Sequence, residues 1–277
     1  MKILAIGDFH GTFPKKFYKI IDKEKIDLVI SNGDYPPFHY RKLWFKYCFG
    51  KDVQLWEVIG KKKAKELVIE DAKRAEVALK ALNKLPIPVF TVLGNIDYPP
   101  DDVVDFWNKK KNKIPKWDRK ESFLKVLKKY KNIQRFDYKA LKFGNYVFIG
   151  MRGHSNPGRV KSKAFRKHMK ILNKLFQKFK DNNIIFVSHN IAYNTKLDKI
   201  GAKAHEKVRS KHYGSKLARR IIDRYHPLLH IGGHIHEGIG KQKIGRTWLV
   251  NPGSAHEGKA TIIDIDEGKV KNVKFVK

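Results

Sequence analysis

MKILAIGDFHGTFPKKFYKIIDKEKIDLVISNGD, residues 1–34, decides the architecture. The apolar run Lys2–Gly7 ends on Asp8, and a helical segment follows over about Pro14–Lys23. A second apolar run from Asp27 to Asn32 then leads through Gly33 to Asp34. Strand, helix and strand at this length make a βαβ crossover, whose handedness rule favours parallel neighbours. Both carboxylates then stand at the carboxyl ends of strands, at the rim where α/β sheets leave room for a ligand.

Moving outward, the same arrangement recurs three times. Val89–Gly94 ends on Asn95, Ile184–Ser188 on His189, and Leu228–Gly233 on His234-x-His236. With Asp8-x-His10 and Asp34 this makes five apolar runs, each closing on a residue able to bind a metal. Glycine precedes Asp8, Asp34, Asn95 and His234, and Ser188 precedes His189. Carboxylate, amide and imidazole donors without thiolates suit divalent first-row metals. Mn2+ is the first choice, with Fe, Zn2+ or Ni2+ as alternatives. Turn-forming Asp and Asn with satisfied histidines would be the bland alternative for any one pair, but five in this order argue against it.

Between these runs the chain departs from the repeating unit. Residues 36–65 are aromatic and basic, and residues 98–132 form a second insertion containing Lys109, Lys110, Lys111 and Lys113. A long helix is expected from Glu66 towards Pro86, its apolar stripe of Leu67, Ala75, Ala78, Leu79 and Leu82 broken by Asp71. Strands are expected at Ile133–Tyr138 and Tyr146–Gly150, with Phe143-Gly144-Asn145 as a hairpin turn. An amphipathic helix is expected over about Ser162–Asn182. The tail reads as an antiparallel meander turning at Glu267-Gly268. The expectation is one domain over residues 1–277, carrying the two insertions.

The 277 residues hold 60 Lys+Arg against 27 Asp+Glu, a formal charge of +33. Heat adaptation through ion-pair networks needs matching carboxylates, which more than half the cations lack. Genomic base composition and a polyanionic partner remain as explanations, and nucleic acid is the partner such a field attracts. The single cysteine, Cys48, excludes a disulfide framework and a multi-thiolate metal site. Ile3–Ile6 is too short for a signal peptide and no run approaches a membrane span, so the expected address is the cytoplasm.

Asp8-Phe9-His10, Gly33-Asp34, Gly94-Asn95, His189 and Gly233-His234-Ile235-His236 resemble the motifs of calcineurin-like metallophosphoesterases. Asn251-Pro252-Gly253-Ser254 resembles the small prokaryotic phosphodiesterase-like branch of that family. The resemblance implies a four-layer α-β-β-α sandwich of two mixed sheets flanked by helices, an α/β fold. It also implies Asp8, His10 and His236 on a first metal, Asn95, His189 and His234 on a second, and Asp34 between them. The implied reaction is in-line attack on a phosphate ester by a metal-bridging hydroxide, with Asp34, Asn95 and His234 as the catalytic set.

One departure bears on the substrate. Many members follow the asparagine with a histidine that serves the leaving group, whereas this chain has Ile96 and then Asp97. The missing histidine weakens the case for an alkyl monoester, whose leaving alkoxide needs that proton. The Gly-Asn-x-Asp form resembles the phosphodiesterase-like branch, and the basic surface tilts the substrate towards a phosphodiester of a nucleotide or nucleic acid. A phosphomonoesterase on a small metabolite and a non-catalytic nucleic-acid scaffold are the alternatives. Asp97 is a candidate for substrate binding or for orienting a ligand histidine, or else a turn cap. Arg152 and His154 follow a strand and are candidates for phosphate binding if that strand is parallel to the others; otherwise they are loop residues. The aromatics from Tyr35 to Tyr47 either stack bases or pack among themselves. The cations at 109–113 and in the 196–211 loop either track a phosphate backbone or form solvated faces.

Overall fold

A computed structural model describes residues 1–277 apart from 50, 52, 98–114, 116, 118–120, 155–157, 203, 205 and 207. Its strands are β1 (Lys2–Ile6), β2 (Leu28–Ser31), β3 (Val89–Thr91), β4 (Ile133–Arg135), β5 (Ala140–Phe143), β6 (Tyr146–Met151), β7 (Asn183–Asn190), β8 (Leu229–Gly233), β9 (Gly240–Ile244), β10 (Thr247–Asn251), β11 (Ala260–Asp266) and β12 (Lys269–Val276). They form two six-stranded sheets, in the orders β12-β11-β1-β2-β3-β4 and β5-β6-β7-β8-β10-β9. The helices are α1 (Lys16–Lys23), α2 (Arg41–Tyr47), α3 (Leu55–Ile59), α4 (Lys61–Asn83), α5 (Glu121–Leu127), α6 (Lys163–Lys178) and α7 (Lys216–Tyr225).

Near-continuous apolar strands are explained by burial on both faces. Alternate residues of β1 serve different cores. Ile3 and Ala5 join Leu28, Ile30 and Val92 against Phe148, Ile185, Val187 and Ile231 of the other sheet. Leu4 and Ile6 face outward onto Phe17 and Ile21 of α1 and Ala75, Leu79 and Leu82 of α4. On the opposite side, Ile149, Ile184 and Phe186 are covered by Phe165, Leu172 and Phe176 of α6 and by Leu217 and Ile221 of α7. The result is the expected α-β-β-α sandwich.

β1, β2 and β3 are mutually parallel, as are β6, β7 and β8. Their carboxyl ends meet at one rim. There Asp8 N donates to Gly33 O at 2.8 Å and His10 N to Asp34 O at 3.1 Å, tying the first two ligand-bearing loops together.

Several boundaries differ from the sequence reading. The hairpin turning at Gly144 pairs β6 with β5, not with the strand at Ile133; β4 lies parallel to β3 in the other sheet. The tail is not one meander. β9 and β10 form a hairpin in one sheet, while β11 and β12 form another in the second sheet, with β11 antiparallel to β1. Polarity patterns give strand number but not sheet membership, because both sheets share the inter-sheet core. β7 runs through His189 to Asn190, longer than its apolar run, since Ser188, His189 and Asn190 are buried polar residues.

Residues 36–65 pack on themselves. Tyr40, Cys48 and Leu55 form a small core with Phe38, Trp44 and Tyr47, sealed by Leu67 and Val68 of α4. Tyr35 is apart from them, fully buried beneath the sheet and hydrogen-bonded to Ser31 and Thr91. The exception in the α4 stripe now has a reason. Asp71 is buried and paired with His39 Nδ1, and Arg74 donates to His39 Nε2 at 2.7 Å. This holds the loop after Asp34 to the helix. Most of the second insertion, including the 109–113 cation run, lies outside the described residues. No helix among the described residues is long and apolar enough to cross a membrane.

Candidate metal centre

Two clusters of metal-binding groups lie at the rim. Asp8, His10 and His236 each present one donor atom within 4.8 Å of the others, and so do Asp34, His189 and His234. In the first, His236 Nε2 is 3.2 Å from both Asp8 Oδ1 and His10 Nε2. In the second, His189 Nε2 is 2.8 Å from Asn95 Oδ1, 3.2 Å from His234 Nδ1 and 3.5 Å from Asp34 Oδ2. All seven ligand candidates are therefore brought together, drawn from β1, β2, β3, β7 and β8 and the loops that follow them.

The second cluster fits a cation on chemical grounds. His189 Nδ1 donates to the main-chain oxygen of Asn32 at 2.7 Å. In the neutral ring that commits its proton, so Nε2 presents a lone pair to the Asn95 oxygen, the His234 nitrogen and the Asp34 carboxylate. Such second-sphere hydrogen bonds orient ligand histidines and fix their tautomer. Converging oxygen and nitrogen lone pairs of this kind suit a divalent cation.

Electrostatics support the same reading. Burial holds His10 down at about 4 and also lowers His189 and His234, so these rings are neutral, as ligands must be. Burial acts against Asp8, yet the His236 and other imidazoles outweigh it and hold the carboxyl well below its usual range. Asp34 is pushed up to about 8 by burial and by the Asp8 charge. Burial lowers His236, but the Asp8 carboxylate outweighs it and the net shift is upward. A buried carboxyl pushed up beside a second carboxylate is the pattern that a bound cation relieves.

Backbone geometry explains the preceding glycines. Asp8, His10, Asp34 and His234 have φ of 54°, 45°, 58° and 72°, in the left-handed region that non-glycine residues avoid. Gly33 has φ +88°, and a Cβ there would meet Gly94 N at 2.2 Å. A Cβ at Gly94 would lie 1.9 Å from Asp34 Oδ1. Only glycine lets β2 and β3 approach closely enough for Asp34 and Asn95 to share a site.

The three substrate candidates separate. Asp97 is fully buried; Oδ2 accepts from Asp34 N at 2.8 Å and Gly94 N at 2.6 Å, and Oδ1 from Tyr35 N at 2.8 Å. Its oxygens clamp the loops after β2 and β3, a positioning role, and all three of these contacts are to backbone N–H groups. Ile96 is buried and its N–H donates to Asp34 Oδ1 at 3.0 Å, so this position offers no acid. Since β6 is parallel to β7, Arg152 and His154 do reach the rim. Gly153 N donates to Leu93 O at 2.7 Å, Arg152 is buried near the Tyr138 ring, and His154 Nε2 lies 2.9 Å from Ser215 Oγ.

Sequence reasoning missed two residues. The His256 ring stands edge-on to His10, centroids 6.1 Å apart, and is exposed beside the first cluster. Its backbone N–H and the Ser254 hydroxyl both donate to Asp8 O, at 3.1 and 2.9 Å. Proximity to Asn251-Pro252-Gly253-Ser254 was the available signal. Asp198 organises the basic loop after β7, accepting from Thr195 N, Gly214 N and His212 Nδ1 at 2.7, 3.0 and 2.7 Å. Nothing in its immediate neighbours marks that role.

Residues 1–238 match the family described as calcineurin-like phosphoesterase. The chain belongs to that family. Its curated relatives include the uncharacterized protein MJ1162 of Methanocaldococcus jannaschii, 28% identical over 255 residues, covering 91% of this chain and 88% of that protein. One crystal structure superposes with a TM-score of 0.69 at 19% identity, covering 100% of this chain and 98% of the other. TT1561 of Thermus thermophilus superposes with a TM-score of 0.54 at 16% identity, over 100% and 99% of the two chains. At these identities the structural likeness shows the fold. This phosphoesterase thus carries two candidate metal sites on the family's sandwich.

Proposed function

We propose that the chain is a binuclear metal-dependent phosphodiesterase, acting on nucleotide or nucleic-acid phosphodiesters. Asp8, His10 and His236 would hold one divalent cation and Asn95, His189 and His234 the other, with Asp34 between them. When bound, such a pair supplies Lewis acidity and an activated water for attack on phosphorus.

The chain's own residues do the rest. The Asn32 carbonyl orients His189, the Ile96 N–H orients Asp34, and the Asp97 clamp fixes the loops bearing Asp34 and Asn95. Arg152, buried beside the rim, adds positive charge there that favours an anionic substrate. His256 stands where it could pass a proton to a departing oxygen. What supports diester over monoester is the Gly94-Asn95-Ile96-Asp97 sequence, which resembles the form of the phosphodiesterase-like branch, with Ile96 buried where a histidine would stand.

The test is Mn2+-dependent hydrolysis of a chromogenic phosphodiester beside the matching monoester, with Asp34→Asn as control. Diester turnover lost in the variant supports the proposal. Turnover of the monoester alone would overturn the reading of Ile96, and no turnover with any divalent metal would favour a binding role.

A further inference from the structure

The cations of this chain are not spread evenly. Between Gly158 and Lys180 there is no Asp or Glu, while Lys163, Lys167, Lys170, Lys174 and Lys178 recur at helical spacing along α6. All five are exposed, because Phe165, Leu172 and Phe176 occupy the buried face. At 1.5 Å rise per residue the stripe runs about 22 Å. The helix is started by Ser162, whose hydroxyl accepts from Phe165 N at 3.1 Å.

Parts of two other helices pair their charges. On α4, Arg74 pairs with Glu70 and Lys80 with Glu76. On α7, Arg219 pairs with Asp223. Along α6 the i,i+4 neighbours Lys163–Lys167, Lys170–Lys174 and Lys174–Lys178 are like charges, which repel and weaken a helix. An ion-pair strategy for stability would have placed Glu or Asp among them.

Beside the stripe is a cavity of about 360 Å3 between α6 and α7. Phe165 and Met169 line it, Arg166, Lys170, Lys174 and Arg220 stand around it, and none of its described lining residues is a carboxylate. The Arg220 guanidinium lies 5.3 Å from the Phe165 ring centroid, which holds it over the opening. The concavity is open and largely apolar, with four cations standing around it where they can pair with an anionic group at its mouth.

We propose that this α6–α7 face is a docking surface for the phosphate backbone of a nucleic acid, with one phosphate held at the mouth of the cavity by the cations around it. A lone phosphate or a mononucleotide would use the cavity and leave most of the stripe unused; a polynucleotide uses both. The placement is also productive. α6 is the crossover between parallel β6 and β7, so its Lys163 end lies on the side of the metal clusters. A strand bound along it leads towards the rim. The proposal extends the diesterase reading but is tested by binding, not by turnover.

The test measures anisotropy of a labelled oligonucleotide of about 20 nucleotides, single-stranded and duplex, with the full chain between about 50 and 200 mM KCl. One variant combines Lys163→Gln, Lys167→Gln, Lys170→Gln and Lys174→Gln. A matched variant removes the same charge from exposed lysines of α4: Lys61→Gln, Lys62→Gln, Lys63→Gln and Lys65→Gln. The expected result is roughly tenfold or greater weakening in the α6 variant, with a salt slope reduced by about three, and less than about threefold weakening in the α4 variant. Hydrolysis of a small chromogenic ester should be unchanged in both, and the melting temperature should not fall in either, since removing like-charge neighbours relieves repulsion. Equal weakening in the two variants would reduce the effect to net charge and overturn the proposal. Absence of wild-type binding, or binding untouched by the α6 changes, would overturn it as well. Vesicles containing phosphatidylserine are the last arm: α6-dependent binding to them, without α6-dependent oligonucleotide binding, would reassign the surface to membranes.

Discussion

The rim and the outer face of α6 both handle charge, by opposite means. At the rim, the donors are buried or half-buried, four of the residues are held in left-handed backbone conformations, and named neighbours orient them. Along α6 the cations are exposed, on long side chains, with regular helical backbone beneath them. Preorganised buried groups act over short distances at full strength, while exposed lysines act over a screening length and weaken with salt. The first arrangement suits bond-breaking chemistry and the second suits capture. A single substitution should therefore be severe at the rim and nearly silent on the helix.

The largest expected effect is at Asp34. Asp34→Asn keeps the shape but removes the charge between the two clusters, and diester kcat/KM should fall roughly a thousandfold, about 4 kcal/mol of transition-state stabilisation. Steady-state kinetics at saturating Mn2+ checks this; a loss below about tenfold would remove Asp34 from the centre.

Asp97→Asn sharpens the comparison within the rim itself. An amide in place of the carboxylate sets donor against donor among three backbone N–H groups, costing roughly 2–3 kcal/mol of stability. If Asp97 is a clamp, kcat should drop roughly a hundredfold while KM stays constant, and the melting temperature should fall. A raised KM with unchanged stability would restore Asp97 to substrate binding.

The pH dependence of metal affinity comes next. Without metal, Asp34 retains its proton up to about 8, whereas an unfolded aspartate loses it near 3.8. Cation binding must expel that proton, so affinity should rise by up to about tenfold per pH unit between pH 6 and 8 and level off above. The upward-shifted His236 acts in the same direction. Titration calorimetry in buffers of different ionisation enthalpy counts the released proton; pH-independent affinity would contradict the assignment.

His256 offers the smallest effect. His256→Ala should slow diesters with alkoxide leaving groups roughly tenfold and leave nitrophenyl esters nearly unchanged, because only the former need a proton. Equal loss on both would make it a binding residue.

How far the molecule was legible in advance follows from the same contrast. Asp8, Asp34, Asn95, His189, His234 and His236 could be read because each closes an apolar run, which makes strand position and rim position one signal. The sandwich followed for the same reason. Sheet membership of Ile133–Arg135 and of the tail strands was not legible, since alternation says that a residue is buried but not against which sheet. The roles of Asp71, Asp97 and Asp198 were not legible for a different reason: each acts through partners distant in sequence or through backbone N–H groups, which leave no residue-type pattern. His256 was obscured because it reaches His10 only across the fold. The lysines of α6 were visible as one face of an amphipathic helix, but the cavity that gathers Arg220 among them depends on how α6 packs against α7.

The most direct measurement is the metal content of the purified protein after equilibration with Mn2+, for the wild type, His10→Ala and His189→Ala. Two ions per chain in the wild type and one in each variant is the predicted result, since each histidine belongs to a different cluster. A single ion in the wild type, or a full complement in either variant, would contradict a two-metal centre built from these residues.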